Sequence, residues 1–256
     1  MAAAGVWWPD EKEDVMTGLQ YLQQHQIAKY DTEQVNDQRW EIVKTQIDRD
    51  FPDGTFSFLD VGGGNGRFAD RVLSAYPESR GIVIDNARAL IDGNTPHPRK
   101  ELHCASVESV GDVLDQRRVD IVFVNWVLHH LVARSYRETT RYIDSLLTEL
   151  RQHMSPRGRL SVFENMYDGL LIDNLPGRLV YRLTSSRGLA GLCRRLGANT
   201  AGVGVCFRSK RQWERRLGES GYRVMAYSDA PGWSTSLPYR IVFHMGRVRF
   251  GHFWVA

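Results

Sequence analysis

The run Phe58-Leu59-Asp60-Val61-Gly62-Gly63-Gly64-Asn65-Gly66 carries the sharpest chemical signal in these 256 residues. It sits where an apolar stretch gives way to helical spacing. Glycines at such a junction let the backbone turn sharply and let a ligand lie against it with no Cβ in the way. The glycines at 62, 64 and 66 follow G-x-G-x-G. Dinucleotide folds use G-x-G-x-x-G, so this spacing disfavours a nicotinamide-dependent oxidoreductase. Asp60 puts a carboxylate at the carboxyl end of the strand. It is a poor neighbour for a pyrophosphate and a good one for a cationic or amine-bearing ligand. A second acid, Asp85, ends the run Gly81-Ile82-Val83-Ile84, nineteen residues after Gly66. A carboxylate there can accept both hydroxyls of a ribose.

Candidates for acid–base work come from two later runs. His129 and His130 follow Val119–Asn125, and Glu164 ends Val162-Phe163-Glu164. A neutral imidazole, with an ordinary pKa of about 6.5, suits deprotonation of a hydroxyl or an ammonium. Neighbouring residues point different ways, so one of the two histidines faces a substrate, and His129 is the first choice. The alternative is that both cap a turn. Glu164 is the second candidate base, against a role as a helix cap or as an ion-pair partner of downstream arginines. Asn125 and Trp126 are read as lining a ligand site rather than reacting. The other histidines show no ligand spacing such as H-E-x-x-H, so no metal is expected. Cys104, Cys193 and Cys206 are an odd, sparse set without C-x-x-C. They point to a reducing cytoplasm rather than a disulfide scaffold or a zinc ribbon.

The elements that must position these residues follow from periodicity. Apolar residues recur at helical spacing through 1–50, with Asp31 and Thr32 as expected caps of a second helix. Phe51-Pro52-Asp53-Gly54 stops that pattern. Apolar runs at 56–61, 81–85, 102–105, Val119–Asn125 and 159–164 then alternate with helical segments at 67–76, 87–91, 107–116 and 135–153. Near-continuous apolar strands alternating with helices mean a parallel sheet covered on both faces. Past residue 164 the alternation breaks. A basic segment spans 166–207, a helix is expected at 209–220, and strands at 222–227, 239–245 and 250–255. Their order in the sheet is not readable.

With these residues in place, the chain resembles the class I S-adenosylmethionine-dependent methyltransferases over about residues 30–165, and again from Phe207 onward. Asp60 with Gly62, Gly64 and Gly66 matches the first motif of that family, and Asp85 its ribose-binding acid. The stretch ending Val127-Leu128-His129-His130-Leu131 resembles its fourth-strand segment. After the third strand many members carry Gly-Asp; here the stretch is Cys104-Ala105-Ser106-Val107. The resemblance implies a Rossmann-like α/β fold: a mostly parallel seven-stranded sheet with helices on both faces, an N-terminal helical cap over 1–50, a cofactor core over 51–165, a helical lid over 166–207 and a C-terminal helix and strands over 208–256, all one domain. It implies S-adenosylmethionine as cofactor, held by the residues above with Asn86, Ser106, Val107, Asn125 and Trp126. Tyr21 and Tyr30 of the N-terminal cap are implied to touch it. The implied reaction is methyl transfer to a small-molecule acceptor of specialised metabolism, first to oxygen, then to nitrogen or carbon. A binding or regulatory protein without turnover is the rival.

Composition bounds the partners. Hydrophobic residues make up 42% and charged residues 25%, ordinary for a soluble globular chain. The first residues turn acidic within ten positions, unlike a signal peptide, and no apolar stretch is long enough to span a bilayer. The net charge of +3 hides an asymmetry: residues 1–60 hold five Lys/Arg against twelve Asp/Glu, and residues 171–217 hold ten against two. Arginine captures carboxylate or phosphate well. Arg178 and Arg182, with Tyr167 and Tyr181 in the same segment, are therefore expected to receive an acidic acceptor. A membrane-surface helix and a solvated basic face are the other readings. No nucleic-acid-binding module is visible.

Overall fold

The computed structural model of the chain describes residues 19–20, 35–195, 200–230 and 236–256. The elements in chain order are β1 (Leu19–Gln20), α1 (Asp37–Asp50), β2 (Ser57–Val61), α2 (Arg67–Ala75), β3 (Arg80–Asp85), α3 (Arg88–Asp92), β4 (Lys100–Cys104), α4 (Val110–Leu114), β5 (Val119–Asn125), β6 (Val132–Ala133), α5 (Tyr136–Gln152), β7 (Met154–Gly169), α6 (Leu175–Ser185), α7 (Ala190–Arg195), α8 (Lys210–Glu219), β8 (Val224–Ala230), α9 (Leu237–Val242) and β9 (Met245–Val255). Seven strands form one sheet in the order β4-β3-β2-β5-β7-β9-β8. β2 pairs in parallel with β3 and β5, β3 with β4, and β5 with β7; β9 runs antiparallel to both β7 and β8. This is the Rossmann-like methyltransferase sheet that the sequence implied.

Alternate residues of each strand serve different faces. Phe58, Val83, Ile121, Phe123 and Phe163 pack under α1 and α2, against Trp40, Val43, Ile47, Phe68 and Val72. Their neighbours Leu59, Val61, Ile84, Val122, Val124 and Val162 pack under α5 and α8, against Ile143, Leu147, Trp213 and Leu217. Each such fully buried side chain contributes about 1.5–3 kcal/mol. Both faces are apolar, which is why the strands read as continuous runs rather than alternating ones.

Several expectations need correction. Residues 19–20, read as helix, pair as a strand with Val132–Ala133 in a separate two-stranded sheet. Asp31 and Thr32 lie outside the described residues. The helix that follows starts after Asn36, whose side chain accepts from the Arg39 amide at 3.1 Å. The apolar stretch at 239–245 is not a strand: Ser236 and Pro238 open the short helix α9 there, because Pro suits the first turn of a helix. The strand expected at 159–164 runs from Met154 to Gly169, extended by its long pairing with β9. Residues 107–116 form a 3₁₀ turn followed by α4 rather than one helix.

Candidate active site

The glycine loop leaves β2 in a conformation other residues resist. Gly62, Gly64 and Gly66 have φ of +67°, +54° and +71°, the left-handed region that costs a side chain about 1–2 kcal/mol. A Cβ on Gly62 would lie 2.4 Å from Val127, and one on Gly66 only 1.8 Å from Asn94 Oδ1. Asn94 is a residue that sequence reasoning missed. Its Nδ2 donates to the Gly64 carbonyl at 2.9 Å and to the Leu90 carbonyl at 3.0 Å, pinning the loop from below. Nothing in a lone asparagine thirty residues away signals that role. Asp85 closes the loop from the side. Its Oδ2 accepts the Gly64 amide at 3.0 Å and its Oδ1 the Ala87 amide at 2.8 Å.

Register places the polar groups of this half on one face. Asp60 pairs with Val83 and with Phe123, so Asp60, Asp85 and Asn125 all share the α1/α2 face at the carboxyl ends of their strands. Asp60 is 1% exposed, and its Oδ2 has no hydrogen-bond partner among the described residues. Burial, then the Asp85 charge, push its carboxyl up to about 8, while Lys100 pulls the other way. Lys100 is itself buried and ion-paired to Asp70 at 2.5 Å. Burial also raises the Asp85 carboxyl, against the opposing amides of Ala87 and Gly64. Both amide atoms of Asn125 are buried without partners. Two acids held above their ordinary range and an orphaned amide describe a seat for a cationic, hydrogen-bonding ligand.

The other cofactor candidates rim this seat unevenly. Trp126 adopts φ +58°, stacks on Phe163 with centroids 5.0 Å apart, and donates Nε1 to Asn165 Oδ1 at 2.9 Å. Arg39 lies over its other side, 4.7 Å from the ring centre. Ser106 precedes the 3₁₀ turn that starts at Val107, with Oγ 3.4 Å from Ser109 Oγ. Asn86 is exposed, and its carbonyl receives the Cys104 thiol. Tyr21 and Tyr30 lie outside the described residues.

Across the sheet, Glu164 and His129 form a pair. Glu164 is wholly buried. Its Oε1 accepts the amides of Leu128 at 2.8 Å and His129 at 3.3 Å, and its Oε2 lies 2.6 Å from His129 Nδ1. The imidazole stacks on Phe207 at 5.0 Å, and the His129 carbonyl accepts the Cys206 amide. Nε2 makes no hydrogen bond among the described residues. A carboxylate on Nδ1 keeps the proton there and leaves the Nε2 lone pair as a base. Glu164 thus positions His129 and caps the 128–130 turn; it forms no ion pair with the arginine-rich segment. His130 sits with its ring 4.1 Å from that of His129, and burial followed by the His129 charge holds it well below the ordinary range. It is neutral at physiological pH.

The acceptor-side candidates divide. Tyr167 is buried against Phe207, 4.4 Å between ring centres. Tyr181 is buried with its hydroxyl donated to the Ala133 carbonyl at 3.0 Å. Arg178 and Arg182 are exposed, with Arg178 over the Tyr136 ring at 5.3 Å. Tyr167 meets the ring that stacks on His129, whereas neither arginine bonds to His129 or Glu164 among the described residues. Phe207, the ring against the candidate base, was not singled out from sequence.

Comparison with known proteins bears on the fold. Residues 59–160 match the family model described as a methyltransferase domain. No curated protein matches the chain. Among solved structures, LepI in complex with S-adenosylmethionine aligns over 91% of this chain and 50% of its own, at 13% identity and a TM-score of 0.57. A SAM-dependent methyltransferase from Leishmania major aligns over 91% and 82%, at 14% identity and 0.54. The mitomycin 7-O-methyltransferase MmcR aligns over 79% and 49%, at 22% identity and 0.50. The chain thus spans about half the length of LepI and of MmcR, and at these identities the likeness is one of fold. Together they show the Rossmann-like methyltransferase fold, with a methyltransferase-domain match over residues 59–160.

Proposed function

We propose that this chain is an S-adenosylmethionine-dependent methyltransferase acting on a hydroxyl oxygen of a small-molecule acceptor, with His129 as general base and Glu164 positioning it. The observation that carries this is the buried 2.6 Å contact between Glu164 and His129 Nδ1, which leaves Nε2 without a hydrogen bond among the described residues. The cofactor supplies an activated methyl group on a neutral leaving group. The chain's residues hold and deprotonate. Asp85 would accept the ribose hydroxyls, the glycine loop would admit the chain of the cofactor, and Asp60 with Asn125 would meet its amine-bearing end; the orphaned Asp60 Oδ2 and Asn125 amide fit those groups. Nε2 takes the hydroxyl proton as the oxygen bonds to the methyl carbon and the carbon–sulfur bond breaks.

The neighbours of the His129 ring, Phe207 and then Tyr167, suit an apolar or aromatic acceptor. The arginines of α6 and α7 would meet an acidic group only away from the reacting oxygen. Residues 166–207 are read as a lid, supported by the Cys206–His129 backbone bond and the Tyr181–Ala133 bond. The whole chain is read as one cytoplasmic domain, and specialised metabolism fits the fold shared with MmcR. The test is incubation with S-adenosylmethionine and acceptor pairs that differ only in hydroxyl against amine, followed by mass spectrometry. Methyl gain on the hydroxyl members is expected. Gain confined to the amines, or none with S-adenosylmethionine bound, would overturn the reading.

A further inference from the structure

Past Glu164, β7 runs five more residues to Gly169, roughly 16 Å at the usual rise per residue, and ends in a turn whose side chains have no cover. Leu170, Leu171 and Ile172 are exposed there, Leu171 to 91%. The turn is rigid: the Leu170 amide donates to the His244 carbonyl at 3.0 Å and the Gly169 amide to the Asp173 carbonyl at 3.2 Å. Beside it lies α9, which shows Leu237, Ile241 and Val242 to solvent and is tied back through Arg240 to the carbonyls of Met245 and Gly246. Six large aliphatic side chains are thus exposed on two segments joined by the Leu170–His244 bond, a tip at the carboxyl end of the sheet. Folded chains seldom leave such a patch without a partner.

The charge beside the tip says what that partner is. From residue 174 to residue 213 the chain has no acid and eight Lys/Arg. Surface arginines elsewhere divide: Arg117, Arg157, Arg215 and Arg247 meet a carboxylate, while Arg80, Arg137 and Arg141 are exposed with no ion pair among the described residues. Arg178, Arg182, Arg187, Arg194 and Arg195 are exposed and form no ion pair among the described residues. Arg178 and Arg182 stand one helical turn apart on α6, which starts directly after the tip. We propose that this surface docks on an anionic lipid bilayer, with the 170–172 turn and α9 inserted below the headgroups and the α6–α7 arginines on the phosphates. An exposed aliphatic tip with unpaired arginines alongside fits a bilayer better than a flat protein face, because the tip needs a deformable apolar phase and the cations a sheet of negative charge. The docked face lies at the same end of the sheet as Glu164 and His129, so an amphiphilic molecule in the bilayer has a short path to them.

The experiment is sedimentation of the full chain with vesicles of phosphatidylcholine alone and of phosphatidylcholine with phosphatidylglycerol. Binding to the mixed vesicles, weakened by salt, is expected. Arg178→Gln/Arg182→Gln should lower partitioning roughly thirtyfold, at about fivefold for each cation near the surface. Leu171→Ser/Ile172→Ser should lower it by at least tenfold, and these exposed positions leave the fold intact. Absence of binding to the mixed vesicles at low salt overturns the proposal. Binding unchanged in Leu171→Ser/Ile172→Ser also overturns it, since adsorption by charge alone needs no tip. A dimer in sedimentation velocity that the same variant dissolves, without vesicle binding, assigns the tip to a second copy and overturns it too. None of these readouts depends on methyl transfer, so this proposal and the assignment of His129 fail separately.

Discussion

The two halves of the site, on opposite faces of one sheet, are built in opposite ways. On the α1/α2 face, Asp60 and Asn125 are left with buried polar atoms unpartnered, and Asp60 is pushed up to about 8. On the α5/α8 face, Glu164 spends both oxygens on three contacts and the His129 ring is fixed before any acceptor arrives. One half gains its last contacts from a ligand, and the other is organised without one. Binding is therefore expected to stabilise the first half, while the second converts geometry into rate.

The largest effect that tests this contrast is on turnover. His129→Gln is expected to lower kcat by ~10²–10⁴ while cofactor affinity stays within about twofold; full turnover across pH 6–9 would mean that positioning alone carries the reaction. On the other face, Asp85→Ala removes a carboxylate from both the loop and the ribose position. Affinity for S-adenosylhomocysteine in calorimetry should fall about tenfold or more, consistent with ~1.5–3 kcal/mol for a charged hydrogen bond. An unchanged affinity would separate the glycine loop from cofactor binding.

A smaller effect concerns pH. The folded Asp60 carboxyl lies near 8, above its ordinary value of about 3.9. Its contribution to stability is therefore fully present below about pH 4 and is lost as pH rises through about 8. A ligand ammonium next to it favours the ionised form and offsets that loss. The rise in Tm on adding S-adenosylhomocysteine should thus be larger at pH 9 than at pH 6, and Asp60→Asn should flatten the difference. An equal rise at both values for the unmodified chain would place the ammonium elsewhere. The smallest expected change belongs to Trp126→Phe, which keeps the stack on Phe163 and loses the bond to Asn165. Urea unfolding should show a loss of about 1 kcal/mol, with turnover little affected if the ring only walls the site.

How much of this was legible depends on how local each determinant is. Strands β2, β3 and β5 could be read because each is a short apolar run bounded by turn residues, and Asp60, Asp85 and the glycines sit within a few positions of those strand ends. His129 and Glu164 were each visible as candidates, yet their pairing was not, because it joins positions 35 residues apart through the β5–β7 register. Asn94 and Asn165 gave no signal at all: an asparagine that pins a loop looks like any other asparagine. The 239–245 stretch was misread because exposed apolar residues in a six-residue helix have the composition of a strand, and the cue that mattered was Ser236 with Pro238.

The position of β9 has a consequence for how the Glu164 carboxylate is sheltered over the life of the molecule. β9 lies between β7 and β8 and pairs with β7 from Leu160 to Gly169. During synthesis, then, the strand that bears Glu164 is a bare sheet edge until Met245–Val255 has been made, some eighty residues later. Until that moment the edge is open to pairing with other chains, while the alignment of Glu164 with His129 is set by the β5–β7 register. Such distant closure is slow. The sheet edge beside the proposed base is thus closed late in folding, after the glycine loop has formed.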